Sequence, residues 1–395
     1  MGSHFGEADL SQKTFTSVLS KSGMKNVSLS GSSWRRALTI GSAFVLCSQG
    51  ALVAQQYQEK ILVSDTTDSQ LKNPWGLARG TGTFWWVSDN ASGVATLYDG
   101  SGAKQALVVT IPHTSQTATG SPTGIVFNGS SDFAVTTGNP ALFIFASFDG
   151  TISAWNPSVD LHNAIQKVPG SADSILTGAT IAQIGDQRFL YVADLKKGEI
   201  TVYDTTFTAV ELSEKAFRHA HVPKGFAPFN VQNIGNNLYV TYAQQNTTKS
   251  FVNFGAGLGY VDVFSPDGQF LMQLQHNGSL NAPWGLTLAP NDFGSFSHRV
   301  IVGEFGSGQI SAFDAVTGQF IDNFRDQNNN VTNIGGPGAL WSLAFGDGEP
   351  KSDPSGVPAN ALFFTAGPTP NGVLFHGLYG TLTPIMADLT QGSDQ

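Results

Sequence analysis

The sequence predicts an all-β fold, a six-bladed β-propeller with four-stranded blades. Three observations carry that prediction. The 395 residues include 45 Gly and 18 Pro, 41% are hydrophobic and only 12% are charged. Such a composition can bury a large core and favours short strands and turns over helices. A short motif recurs six times at near-constant spacing, and an aromatic column follows it in each unit.

The first element is the motif. Asn73-Pro74-Trp75-Gly76-Leu77-Ala78 returns as Asn281-Ala282-Pro283-Trp284-Gly285-Leu286. Ser121–Ile125, Leu176–Ala179, Ala227–Val231 and Ala339–Ala344 are looser copies. Aligned, they give the column Trp75, Thr123, Thr177, Phe229, Trp284, Trp341, with spacings of 48, 54, 52, 55 and 57 residues. That is the repeat length of propeller blades. The second element is the apolar stretch after each motif: Phe84–Ser88, Ala141–Ala146, Phe189–Ala193, Leu238–Thr241, Val300–Gly303 and Ala361–Thr365. These read as second strands. The third is a strand closed by an aromatic: Tyr98, Trp155, Tyr203, Phe264, Phe313 and Tyr379. The last unit is one strand short, and Glu59–Asp65 alternates like a strand. It is expected to join the last blade and close the ring, since closure leaves only short edges.

Residues 1–54 read as an upstream extension and a signal peptide, with Met24 as an alternative start. Arg35-Arg36 precede the apolar stretch Ala37–Leu46, and a cut after Ala54 is expected. Residues 55–395 then form one propeller domain, secreted or periplasmic. Cys47, the only cysteine, would leave with the signal, which suits an oxidising compartment. Formal net charge is −9. Removing the five basic and two acidic groups of residues 1–54 leaves 15 basic against 27 acidic, a balance of −12. So acidic a body lacks the footprint of a nucleic-acid binder and does not suit an anionic membrane surface. A monomer without membrane attachment after cleavage is expected.

Asn73–Ala78, Gly120–Gly129, Phe143–Pro157, Gly225–Tyr242 and Asn281–Pro290 together resemble a family of secreted, functionally uncharacterised bacterial and fungal proteins. That resemblance implies a six-bladed propeller related to NHL-repeat proteins and brings no catalytic residues. Thr177-Gly178-Ala179 and Ser342 depart from the family pattern.

In a propeller the inner strand starts on the face where the second strand ends. The column Asp89, Ser147, Asp194, Tyr242, Glu304, Ala366 is therefore expected at the same mouth as the motif column. Asp89, Asp194 and Glu304 are the candidate metal ligands, with calcium the cation such carboxylates would suit. Trp75, Asn90, Thr123, Asn230, Tyr242, Trp284 and Trp341 are the expected ligand-binding set. His219 and His221 would share one face of a strand, but zinc needs a third ligand. No phosphate loop, Gly-x-Ser-x-Gly elbow or Cys-x-x-Cys is present. The leading expectation is a scaffold binding a small molecule, glycan or protein at the mouth. One alternative is a divalent-metal-dependent hydrolase or lyase similar to six-bladed lactonases. Another is a carbohydrate-binding module using Trp75, Trp284 and Trp341 as platforms.

Overall fold

Six antiparallel sheets follow one another along the chain, each running from an inner strand outward. The computed structural model describes residues 55–276, 278–346, 360–367 and 376–385. The signal-peptide reading, residues 1–54, lies outside them. Inner strands are Pro74–Ala78, Pro122–Phe127, Leu176–Ile184, Phe226–Ile234, Pro283–Leu288 and Leu340–Phe345. Second strands are Trp85–Asp89, Phe143–Ser147, Gln187–Asp194, Asn237–Gln245, Arg299–Glu304 and Leu362–Ala366. Each inner strand contacts the next, and Leu340–Phe345 contacts Pro74–Ala78. The fold is therefore a closed six-bladed β-propeller. Blade four carries an extra short strand, Val252–Asn253.

Ring closure follows the expected route. Tyr57–Ser64 pairs antiparallel with Leu378–Pro384, from Tyr57 opposite Pro384 to Ser64 opposite Leu378. The strand starts two residues before the expected Glu59. Tyr57 anchors it there, stacked 4.3 Å from Phe324 and 5.8 Å from Phe296.

The hydrophobic residues divide into one cluster between each pair of neighbouring blades and one on the axis. The aromatic column serves the inter-blade clusters. Tyr98, Trp155, Tyr203, Phe264 and Phe313 lie at or next to the ends of third strands, opposite the start of the second except for Tyr203, which pairs with Leu190 midway along it. Tyr379 departs from the expectation. It sits near the start of its strand opposite Thr365, and Leu382 takes the equivalent place opposite Leu362. Tyr379 still joins two blades, because its ring stacks on Tyr98 at 5.3 Å.

The motif column is a column of β-bulges. In all six blades the register between first and second strand shifts at this point: around Trp75, Thr123, Thr177, Phe229, Trp284 and Trp341. A bulge re-aims a side chain that regular pleating would send elsewhere. The following glycines let the inner strands crowd together. A Cβ on Gly76 would lie 2.5 Å from the Thr123 carbonyl oxygen, and one on Gly285 would lie 2.6 Å from that of Trp341.

Candidate functional site

The bulges turn large rings from four blades into the axis. Trp75 of blade one stacks on Trp341 of blade six, with centroids 3.5 Å apart and planes 17° apart. Trp284 of blade five meets both edge-on, at 6.1 and 5.9 Å. Phe229 of blade four lies 6.0 Å from Trp341. Blades two and three contribute threonines instead. The Thr177 carbonyl accepts the Trp284 indole N–H at 3.0 Å. Thr123 Oγ1 donates to the carbonyls of Ala146 (3.0 Å) and Leu176 (2.8 Å). Large rings thus fill the space that small residues leave, and the channel is plugged. All four rings are at most 3% exposed.

Above the plug, where inner strands begin, a cavity of about 370 Å³ opens. Trp75 and Trp341 line it, and Phe148, Phe251, Phe254 and Phe305 join them. Phe251 and Phe254 come from the loop between the second and third strands of blade four. Asn281 of blade five holds that loop, its Oδ1 accepting from the Gly255 N–H at 2.6 Å. Phe254 is 46% exposed at the rim.

The polar part of the mouth is a chain of amides. Trp341 Nε1 donates to Asn73 Oδ1 at 3.1 Å. Asn73 Nδ2 donates to Asn90 Oδ1 at 3.2 Å, and Asn90 Nδ2 donates to the Pro122 carbonyl at 3.2 Å. Blades six, one and two are joined in this way. Among the described residues no Asp, Glu, His, Lys, Arg or Cys lines the cavity.

The expected site residues divide. Trp75, Asn90 and Trp341 line the mouth. Trp284 and Asn230 belong to a second cavity of about 210 Å³ further along the inner strands. There Asn230 Nδ2 donates to the Trp284 carbonyl at 2.7 Å. Thr123 is fully buried, its one O–H shared between its two carbonyls. Tyr242 is buried between blades three and four, and its hydroxyl donates to the Phe217 carbonyl at 3.3 Å.

The structure does not gather the three carboxylates. Asp89, Asp194 and Glu304 are all buried, each engaged in its own blade. Asp89 Oδ2 accepts from Thr96 Oγ1 at 2.6 Å. Asp194 accepts from Ser174 Oγ (2.5 Å) and from the N–H groups of Ile175 and Lys197 (3.2 and 3.1 Å). Glu304 Oε2 accepts from the Asn281 N–H at 2.7 Å. Among the described residues no three His, Cys, Asp or Glu side chains form a group able to hold a metal ion. Burial pushes Asp89 well above the usual carboxylate range and Glu304 up to about 8. In both, burial away from water works against the charged form.

The physical reason is strand alternation. Successive side chains point to opposite faces, so a column displaced by one residue faces elsewhere. The residue after each expected position is the one at the axis. Asn90, Phe148, Phe305 and Gly367 line the mouth, while Leu195 and Ala243 pack in the axial cluster. Those six residues follow the motif spacing, so the same alignment moved on by one would have found them. Phe251 and Phe254 had only the loop's length and aromatic content as a signal. His219 and His221 lie in turns, not on a strand. His219 Nδ1 is 3.2 Å from the buried Asp262 carboxylate, and its ring stacks on Phe270.

An uncharacterised protein of Acanthamoeba polyphaga mimivirus, R648, is 31% identical over 313 residues, which span 76% of this chain and 72% of the relative. The chain belongs to the R648 family. A further uncharacterised protein of that virus, L690, is 33% identical over 258 residues, 62% of this chain and 67% of the relative. No family model matches. A solved protein of unknown function from Bacteroides thetaiotaomicron superposes with a TM-score of 0.50 at 12% identity, over 82% of this chain and 76% of that one. At that identity the likeness shows the propeller fold alone. The names of these relatives assign no activity.

Proposed function

We propose that the protein binds a small ligand at the plugged channel mouth and performs no chemistry there. The observation that carries this is the cavity of about 370 Å³ walled by six aromatic side chains, with no acid, base or nucleophilic thiol among the described residues of its lining. Small-molecule sites are typically concave, mostly apolar pockets with a few convergent polar groups. General acid–base catalysis needs a titratable group within hydrogen-bond reach of the reacting proton. A divalent-metal hydrolase would need Asp89, Asp194 and Glu304 around one ion, and each is spent in its own blade. The signal peptide read in the sequence makes the binding extracellular or periplasmic.

The test is a fragment screen by ligand-observed NMR on the full chain, repeated on Phe254→Ala. Phe254 is half exposed, so its truncation leaves the fold intact. Hits that Phe254→Ala weakens support the mouth as the site. No hits, or hits indifferent to the substitution, refute it. Calcium and chelator controls run alongside; a calcium-dependent hit would favour the metal alternative.

A further inference from the structure

We propose that the mouth takes an uncharged ring compound carrying a single hydroxyl or amide, clasped by the phenyl walls and read by Asn73 and Asn90. This rests on the mouth being the binding site. Charge comes first. Among the described residues no ionisable side chain lines the cavity. A carboxylate, phosphate or ammonium group entering it would shed water and meet no counter-charge.

A cation could instead sit over an open indole face, but the indole faces are taken. Trp75 and Trp341 stack on each other, and Trp75 is met edge-on by Phe148 and Phe251. Phe305 lies 4.2 Å from Trp341. The same packing removes Trp75, Trp284 and Trp341 as sugar platforms. A sugar also carries several hydroxyls, and each one buried against phenyl rings without a partner costs the desolvation of a polar group.

The amide pair sets the polar requirement. An Asn side chain offers two N–H donors and an oxygen with two lone pairs. Asn73 uses one N–H on Asn90 and one lone pair on Trp341. Asn90 uses one N–H on the Pro122 carbonyl and one lone pair on Asn73. Among the described residues each keeps one donor and one acceptor. Together they match a group that both donates and accepts, which a hydroxyl or a carboxamide does. Asn73 is also set in place. A Cβ at Gly367 would lie 2.2 Å from Asn73 Oδ1, so only glycine leaves the amide its position.

The experiment is calorimetric titration of the full chain with benzamide, toluene, benzoate, benzylammonium and methyl glucoside. It is repeated on Asn90→Ala and Phe254→Ala. Benzamide is expected to bind tightest, about 5- to 10-fold tighter than toluene, the worth of about one hydrogen bond. Benzoate, benzylammonium and methyl glucoside should bind at least about 10-fold more weakly than benzamide, since each buries a charge or several hydroxyls without partners. Asn90→Ala should reduce benzamide to the level of toluene and leave toluene unchanged. Should that variant fail to fold, the benzamide-to-toluene ratio on the wild type decides. A charged probe or the glucoside binding tighter than benzamide overturns the ligand chemistry but leaves the mouth as the site. So does a benzamide advantage that survives Asn90→Ala. Binding of no ring compound, or binding that Phe254→Ala leaves unchanged, overturns the site itself.

Discussion

Asp89 and Asn90 are neighbours on one strand end, and so are Glu304 and Phe305. The first of each pair is buried inside a blade's own hydrogen-bond set. The second lines the mouth. The same pairing recurs in blade two, where Ser147 is fully buried and Phe148 lines the cavity. One residue of displacement separates an acid that holds the blade together from a ring that can touch a ligand. Chemistry-bearing residues can therefore repeat with perfect spacing and still face away from the only place where they could act together.

The largest effect that would sharpen this contrast comes from the axial side. Trp341→Ala removes the ring that stacks on Trp75 and touches Trp284, Phe229 and Phe305. Truncating a buried Trp costs about 3–5 kcal/mol, so unfolding in urea should shift by that amount. A loss below about 1 kcal/mol would mean that the rings do not meet on the axis as described.

The acid buried in blade five gives the next effect, and it depends on pH. Glu304 is pushed up to about 8 by burial, above its ordinary 4.5. Between those values the unfolded chain has released its proton and the folded one has not. The folded state therefore holds the extra proton, and stability falls as pH rises from about 4.5 to about 8, then levels off. Glu304→Gln keeps an acceptor for the Asn281 N–H and removes the titration. It should match the wild type near pH 4.5. At pH 9 it should be more stable by about 2–4 kcal/mol, bounded by the worth of the shift. Urea unfolding at both pH values checks this. A variant less stable than wild type at pH 9 would mean an ionised, paired Glu304, as a bound cation requires.

The fold was legible because repetition and composition survive without coordinates: six motifs, six second strands and the missing strand supplied by the N-terminal segment. The site was legible in part. Trp75, Asn90 and Trp341 were read as mouth residues, and the sequence motif marked the bulges without showing that they were bulges. A bulge inserts one residue into a ladder, so counting along the strand from Trp75 or Glu304 cannot say which neighbour reaches the axis. Thr123 and Asn230 carry the same lesson. Their column position was right, but their side chains were already taken by the Ala146, Leu176 and Trp284 carbonyls. Whether a polar side chain is free is a property of the whole ring and not of its strand.

The smallest effect probes how the bulges are held. Asn73 and Ala282 stand directly before Pro74-Trp75 and Pro283-Trp284, and both have φ of 47°. Asn tolerates this left-handed region; for Ala it costs about 1–2 kcal/mol, and the following proline disfavours helical backbone further. Ala282 is fully buried, so Ala282→Gly loses a packed methyl, about 0.8 kcal/mol, and gains chain entropy in the unfolded state, about 0.5–1 kcal/mol. Relief of the strained backbone offsets both, so the variant should stay within about 0.5 kcal/mol of wild type. Ala243→Gly is the control. Ala243 is equally buried but regularly paired in its strand opposite Ala227, and without strain to relieve it should lose about 1–2 kcal/mol. Equal losses at the two sites would mean that Ala282 is relaxed. Unequal losses would locate stored strain beside the bulge that aims Trp284 at the axis, where blade five has an alanine and blade one has the asparagine that the mouth uses.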